Sequence, residues 1–160
     1  MFIETGTFLG TMDYSVRNMF RAIYSIELGV DLSKRARSRL RFYPHIQIVQ
    51  GDSGKLLPQI MKNISERCLF WLDGHYSEGM TAKGSLETPI VEELETIFEH
   101  GVKDHVILID DARCFDGTHD YPTLEQVREL VARHRPDYVF SVADDVIRIH
   151  PPQLVQVTTG

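Results

Sequence analysis

Short runs of continuous apolar residues alternate with amphipathic stretches along the whole chain, and this alternation constrains the fold more than any other feature. The β-type runs are residues 1–5, 22–28, 45–50 (HIQIVQ), 67–72, 105–110 (HVILID), 137–143 (DYVFSVA) and 146–150 (VIRIH). Helical patterns at 12–21, 31–41, 53–63, 89–100 and 124–134 separate the first six. Strands that lack polar alternation are buried on both faces, which calls for a mostly parallel sheet covered by helices. Only the connection between 143 and 146 is too short for a crossover helix, so the last strand should run antiparallel. The expected class is α/β: a Rossmann-like three-layer sandwich, with a seven-stranded, mostly parallel sheet and an antiparallel last strand. The pattern covers residues 1–160 as one domain, long enough to bury a core without disulfides or metal.

Local signals mark several boundaries. Thr88 followed by Pro89 reads as a helix cap with proline at the first helical position. Thr123 with Gln126 forms a capping box for the helix that stops before Pro136. Val91, Leu94, Ile97 and Phe98 share one face of the fourth helix and read as its packing side, and Met19 and Phe20 read as core.

Composition removes some functions. No apolar run approaches the roughly 20 residues needed to span a bilayer, and no secretory signal precedes the first strand, so neither membrane nor export is expected. The net charge of −6 argues against a nucleic-acid partner, and the basic cluster SKRARSRLR at 33–41 reads as a solvated helix face. Cys68 and Cys114 lack metal-ligand spacing and suit a reduced, cytoplasmic protein.

The chemistry-bearing residues fall at strand ends. FWLDGHYS, residues 70–77, breaks from an apolar run into Asp73 and His75, and HVILIDDAR, residues 105–113, ends on Asp110 and Asp111. In open α/β sheets ligands bind outside the carboxyl ends of the strands, and the long connections 74–87 and 112–122 both follow such ends. The first strand leads into FIETGTFLG, where Gly6 and Gly10 flank a strand-to-helix turn and allow a ligand close to the backbone. The second strand ends in Glu27, about 20 residues past that turn, where a carboxylate can accept hydrogen bonds from ribose hydroxyls. The third ends in Gly51-Asp52. Glu4, Glu27 and Asp52 together outline a nucleoside-binding edge.

These residues resemble the class I S-adenosylmethionine-dependent methyltransferases. The family's E/D-x-G-x-x-x-G first strand is matched by Glu4, Gly6 and Gly10, its ribose-binding acid by Glu27, and its adenine-side acid by Asp52. The resemblance implies donor contacts from Thr7, Ser53 and Asp73 as well. Phe8 stands where many members have glycine, and Thr5 where an apolar residue is common. Asp73 after the fourth strand and Asp110-Asp111 after the fifth are similar to the metal-dependent O-methyltransferases of the catechol and macrocin types and to cephalosporin hydroxylase-like proteins. That resemblance implies Mg²⁺ held by Asp73, Asp110 and Asp111, with oxygen ligands suited to a hard cation.

The expected function is methyl transfer from S-adenosylmethionine to a hydroxyl of a small molecule, assisted by Mg²⁺. His75 and Asp73 are the expected catalytic residues, with His75 as base because imidazole titrates near neutrality. Lys83 and His119 are rivals, and Tyr76 occupies the position where the family often has lysine or histidine. His119 reads more simply as an exposed loop residue. Family members carry N-terminal helices over the substrate, whereas Met1 already lies in the first strand. A second copy or a partner is therefore expected to supply cover, with Met80, Leu86 and Phe115 as apolar loop residues available for contact. Two other readings stay open: a non-catalytic S-adenosylmethionine or nucleotide-binding module, and a metal-dependent hydrolase.

Overall fold

The structure is a computed structural model and describes residues 1–74 and 88–152. Seven strands form one sheet: β1 (Phe2–Thr5), β2 (Ile23–Glu27), β3 (Ile46–Gln50), β4 (Leu69–Leu72), β5 (Val106–Ile109), β6 (Val139–Ala143) and β7 (Val146–His150). Five helices connect the first six: α1 (Thr11–Val16), α2 (Val30–Leu40), α3 (Ser53–Met61), α4 (Ile90–Glu99) and α5 (Leu124–His134). The strand order is β3-β2-β1-β4-β5-β7-β6. β1 through β5 pair in parallel, and β7 is antiparallel to both β5 and β6. The expected architecture is therefore present, with element ends within about two residues for most elements.

The chain winds outward from β1 to β3 and then crosses to β4 on the other side of β1. That reversal opens a crevice between the carboxyl ends of β1 and β4. Successive residues of β1 face different layers. Phe2 packs with Ala36 and Leu40 of α2, whereas Ile3 packs with Leu57 of α3 and Leu94 of α4. This alternation matters at the site, because Glu4 then points to the first layer and Thr5 to the second.

Four expectations on local structure need correction. Helix α1 stops at Val16 rather than running to residue 21. The chain turns there so that Phe20 can place its ring 5.3 Å from Phe2. Met19 sits on the outside of this turn, 73% exposed, and is not core. Pro89, not Thr88, holds the N-cap of α4, and no side chain caps that end. The buried stripe of α4 is Ile90, Glu93, Leu94, Ile97 and Phe98; Val91 faces outward. The capping box of α5 is realised: Gln126 N–H donates to Thr123 Oγ1, and Thr123 N–H donates to Gln126 Oε1 at 2.7 Å.

At the opposite end of the sheet, two histidines close the core. Cys68 N–H donates to His105 Nδ1 at 3.1 Å, so the His105 proton sits on Nε2 and goes to His100 Nδ1 at 2.9 Å. His100 Nε2 in turn donates to the Met61 carbonyl at 3.0 Å. Burial, with His100 and Arg135 adding, pushes His105 down to about 4. Cys68 and Cys114 are both free thiols. No helix among the described residues is long and apolar enough to cross a membrane.

Candidate functional site

The turn after β1 is built by a close crossing. Asp73 N–H donates to the Thr5 carbonyl at 2.9 Å, and Gly6 then passes directly over the Asp73 carbonyl. A β-carbon on Gly6 would sit 2.1 Å from that oxygen, and φ there is +87°. Only glycine satisfies both demands. Gly10 has φ +69° and caps α1, and its bare side lets α1 approach Leu40 of α2. Between them Phe8 takes φ +50° despite its bulk. The middle position thus keeps a left-handed backbone without the usual glycine, at a strain cost of about 1 kcal/mol or more.

Glu27 holds this turn from below. Its Oε2 accepts from Phe8 N–H at 2.7 Å and its Oε1 from Gly29 N–H at 2.7 Å. The carboxyl is 5% exposed, and burial raises its pKa while the two N–H groups oppose the rise. Each oxygen keeps a lone pair for a ligand hydroxyl. Gly6, Gly10 and Glu27 are therefore brought together in one turn.

Glu4 and Thr7 lie beneath it rather than at its surface. Thr7 Oγ1 is 2.7 Å from Ser25 Oγ, which donates to Glu4 Oε2 at 2.6 Å. Asp13 of α1, which sequence reasoning missed, is fully buried beside them, and neither of its oxygens finds a hydrogen-bond partner. Burial, then the neighbouring Asp13, holds Glu4 well above the usual carboxylate range. Burial pushes Asp13 up to about 6. Two adjacent buried carboxyls repel each other's charge, so each favours the other's protonated form.

Asp52 is occupied as a cap. Its Oδ1 accepts from Gly54 N–H at 3.0 Å, and Oδ2 pairs with Lys55 at 3.2 Å. Ser53, the first residue of α3, is buried close to Glu93 of α4.

The acids after β4 and β5 are neighbours, because Asp110 N–H donates to the Leu72 carbonyl at 3.1 Å. Asp73 and Asp110 line one shallow cleft, partly open to solvent, with Thr88, Glu93, Phe115 and Tyr121. Asp111 adopts φ +56°, its N–H donates to Asp110 Oδ1 at 2.9 Å, and its Oδ1 pairs with Arg113 at 2.7 Å. Among the described residues no three Asp, Glu, His or Cys side chains come together to hold a metal. The described acids thus do not form the expected Mg²⁺ site, and no step below runs through a metal. His75, Tyr76, Met80, Lys83 and Leu86 lie outside the described residues. His119 is exposed, as its loop position suggested. Phe115 is buried, its ring 5.2 Å from Tyr121, and so offers no surface for association.

Glu93 is the second residue that sequence reasoning missed. It is 1% exposed on the inner face of α4, and its Oε1 has no hydrogen-bond partner. The same is true of Thr5 Oγ1. Burial pushes Glu93 up to about 7, and the Ser53 hydroxyl lowers it only in part. A signal existed: residues 90, 93, 94, 97 and 98 follow helical spacing, and one of the five is an acid.

The chain matches no protein-family model and no curated protein. Solved structures do match. The methyltransferase PaMTH1 of Podospora anserina, bound to S-adenosylhomocysteine, superposes with a TM-score of 0.62 at 16% identity, over 93% of this chain and 70% of that one. The N-methyltransferase NodS of Bradyrhizobium japonicum, also in complex with S-adenosylhomocysteine, gives 0.57 at 14%, over 94% and 77%. The 23S rRNA methyltransferase ErmE gives 0.61 at 14%, over 94% of this chain; the chain spans 60% of that enzyme's length. This is the class I methyltransferase fold. In this sheet Gly6 after β1, Glu27 at the end of β2 and Asp73 after β4 share the carboxyl edge.

Proposed function

We propose that this chain transfers a methyl group from S-adenosylmethionine to a hydroxyl of a small molecule. The observation that carries the reading is the turn at Gly6, where a glycine with φ +87° crosses the Asp73 carbonyl beside a buried Glu27 that already holds the turn through Phe8 N–H. A backbone bared in this way, beside a carboxylate with spare lone pairs, suits a nucleoside with a ribose to hold. The fold supports the same donor, since two of the neighbours carry S-adenosylhomocysteine.

In this reading the donor's ribose hydroxyls donate to Glu27 and its methionine part passes over Gly6. Thr7 and Glu4 steady the turn from beneath, and Asp52 and Ser53 border the adenine side. The acceptor enters between Asp73 and Asp110. Its oxygen attacks the methyl carbon in line with sulfur: a C–O bond forms, the S–C bond breaks, and sulfur keeps the electron pair. Positioning supplies much of the rate of such a displacement. The hydroxyl proton passes to His75 or Asp73, which follow β4 directly. A small acceptor, rather than the RNA of one neighbour, is supported by the net charge of −6 and the carboxyl-lined cleft. Free thiols suit a cytoplasmic enzyme.

Calorimetry with S-adenosylmethionine and S-adenosylhomocysteine tests the reading. Binding of both, weakened in Glu27→Ala with the fold intact, is the expected result. No heat from either, or equal affinity in the variant, would overturn the donor site.

A further inference from the structure

Two carboxyls lie buried side by side beneath the β1 turn. Glu4 is 2% exposed and Asp13 0%. Glu4 ends β1 between Ser25 of β2 and Trp71 of β4, and Asp13 reaches it from α1. The Ser25 hydroxyl has one proton and donates it to Glu4 Oε2 at 2.6 Å, so Thr7 is the donor in its 2.7 Å contact with Ser25. A chain of hydroxyls therefore runs from the turn to Glu4 and stops there. It leaves Asp13 with nothing, and neither of its oxygens has a hydrogen-bond partner.

Among the described residues the surrounding elements bring no countercharge to the pair. Asp73, after β4, adds to the negative potential at Glu4. Glu27, at the end of β2, accepts from Phe8 and Gly29 N–H. Arg39 of α2 reaches α1 but donates to the Leu9 carbonyl and Thr11 Oγ1. Arg17, past the end of α1, donates to the Tyr14 carbonyl and lies over the Tyr14 ring. A buried carboxylate without a partner is costly, and either a proton or an outside cation removes the cost. Burial raises both carboxyls, Asp13 to about 6 and Glu4 well above its usual range, where the charge of Asp13 adds.

Donor and product differ in the charge that such a pair feels. S-adenosylmethionine carries a positive sulfonium, whereas S-adenosylhomocysteine carries a neutral thioether. In the donor reading, on which this inference rests, the part that bears the sulfur passes over Gly6, two residues from Glu4. We propose that Glu4 and Asp13 form a proton-exchanging countercharge that distinguishes the donor from its demethylated product. The ligand-free pair holds one proton. With the sulfonium above the turn the pair is fully ionised, and that proton leaves to solvent. Once the methyl group has gone, the neutral sulfur no longer offsets the second charge and the pair takes a proton back. The field reaches across the turn because the buried pair is poorly screened.

Calorimetry at about pH 7, in two buffers of different ionisation enthalpy, counts the protons exchanged. The readout is the proton release with S-adenosylmethionine minus that with S-adenosylhomocysteine, taken relative to Asp13→Asn so that the ligands' own amino groups cancel. The wild type should show an excess of at least about half a proton, and its affinity ratio should shift at least about fivefold further toward the donor between about pH 6 and 8. Glu4→Gln should behave as Asp13→Asn does. Glu93→Gln should keep the wild-type excess, because its carboxyl belongs to the opposite layer. Infrared difference spectra need neither variant of the pair: in Glu93→Gln, a protonated-carboxyl C=O band present with the product should be lost with the donor. A smaller excess, an excess that vanishes in Glu93→Gln, or an unchanged carboxyl band would overturn the proposal and leave the donor site standing. If the wild type binds neither ligand, the donor site falls and the proposal with it.

Discussion

Replacing Glu93 with glutamine should make the ligand-free protein more stable, and only above a certain pH. The carboxyl is 1% exposed, and burial moves it from its ordinary 4.5 to about 7. Below pH 4.5 both folded and unfolded chains hold the proton, and the group contributes nothing to the pH dependence. Between 4.5 and about 7 the unfolded chain releases its proton while the folded chain keeps it, so stability falls as pH rises. Above about 7 both have released it and the loss is complete. An interval of about 2.5 pH units at 1.36 kcal/mol each is about 3 kcal/mol. Glutamine keeps the shape of the protonated acid and has no proton to lose. Glu93→Gln should therefore gain about 2–3 kcal/mol at pH 8 and under about 1 kcal/mol at pH 5, or roughly 5–10 °C in Tm at the higher pH. Urea unfolding at the two pH values, with wild type alongside, reads the difference directly. Because Glu4 and Asp13 titrate in both proteins, they cancel. The same change in stability at both pH values, or a loss at pH 8, would refute the assignment of a strained carboxyl to this position.

Glu27→Ala should weaken S-adenosylmethionine binding by about 1.5–3 kcal/mol in calorimetry, since it removes a charged acceptor and releases Phe8 N–H. Gly6→Ala should lose at least about 2 kcal/mol of folding stability in urea, because its β-carbon would stand 2.1 Å from the Asp73 oxygen at a positive φ. The His105 ring should show no NMR titration above about pH 5, as burial holds it near 4. The unfolded chain takes a proton on this histidine below about 6.5 and the folded chain does not. Its contribution to stability is thus complete above that pH and lost as pH falls toward 4, opposite in sign to Glu93.

The sheet was legible because its strands are buried on both faces, and burial of that kind leaves a continuous apolar run whatever the neighbours are. Gly6, Gly10 and Glu27 were legible for a related reason: a strand-to-helix turn and a strand end are local, and their residues announce the backbone they need. What could not be read depends on which segments pass close together. Asp111 looked like half of an acidic pair, and what the sequence could not show is its left-handed backbone and its ion pair with Arg113. Phe115 looked like an exposed loop residue, and its burial depends on Tyr121 six residues on folding back over it. Asp52 fits its simplest role, a helix cap, because the Gly54 N–H comes to hand before any ligand does. Glu93 was readable in principle from its place in the helical stripe; the chosen face, one residue off at Val91, hid it.

Glu4 and Glu93 have a common origin at the end of β1. Alternation along that strand sends Glu4 toward α1 and α2, where it meets Asp13, and Thr5 toward α3 and α4, where it meets Glu93. A strand buried on both faces would be expected to end on apolar residues in both directions. This one ends on polar residues in both, immediately before the glycine that crosses β4. Each pairing raises a carboxyl above its ordinary range, so each lowers the stability of the ligand-free fold at neutral pH. Random placement of three such groups would scatter them through the core. Here all three lie within one turn of the β1–β4 crevice, on the two sides of the sheet. Strain concentrated at the ligand-binding edge of an α/β sheet is what a binding site accepts in exchange for its affinity. A ligand seated there should therefore stabilise this protein by more than its contacts with the exposed residues alone would suggest, and more at pH 8 than at pH 5.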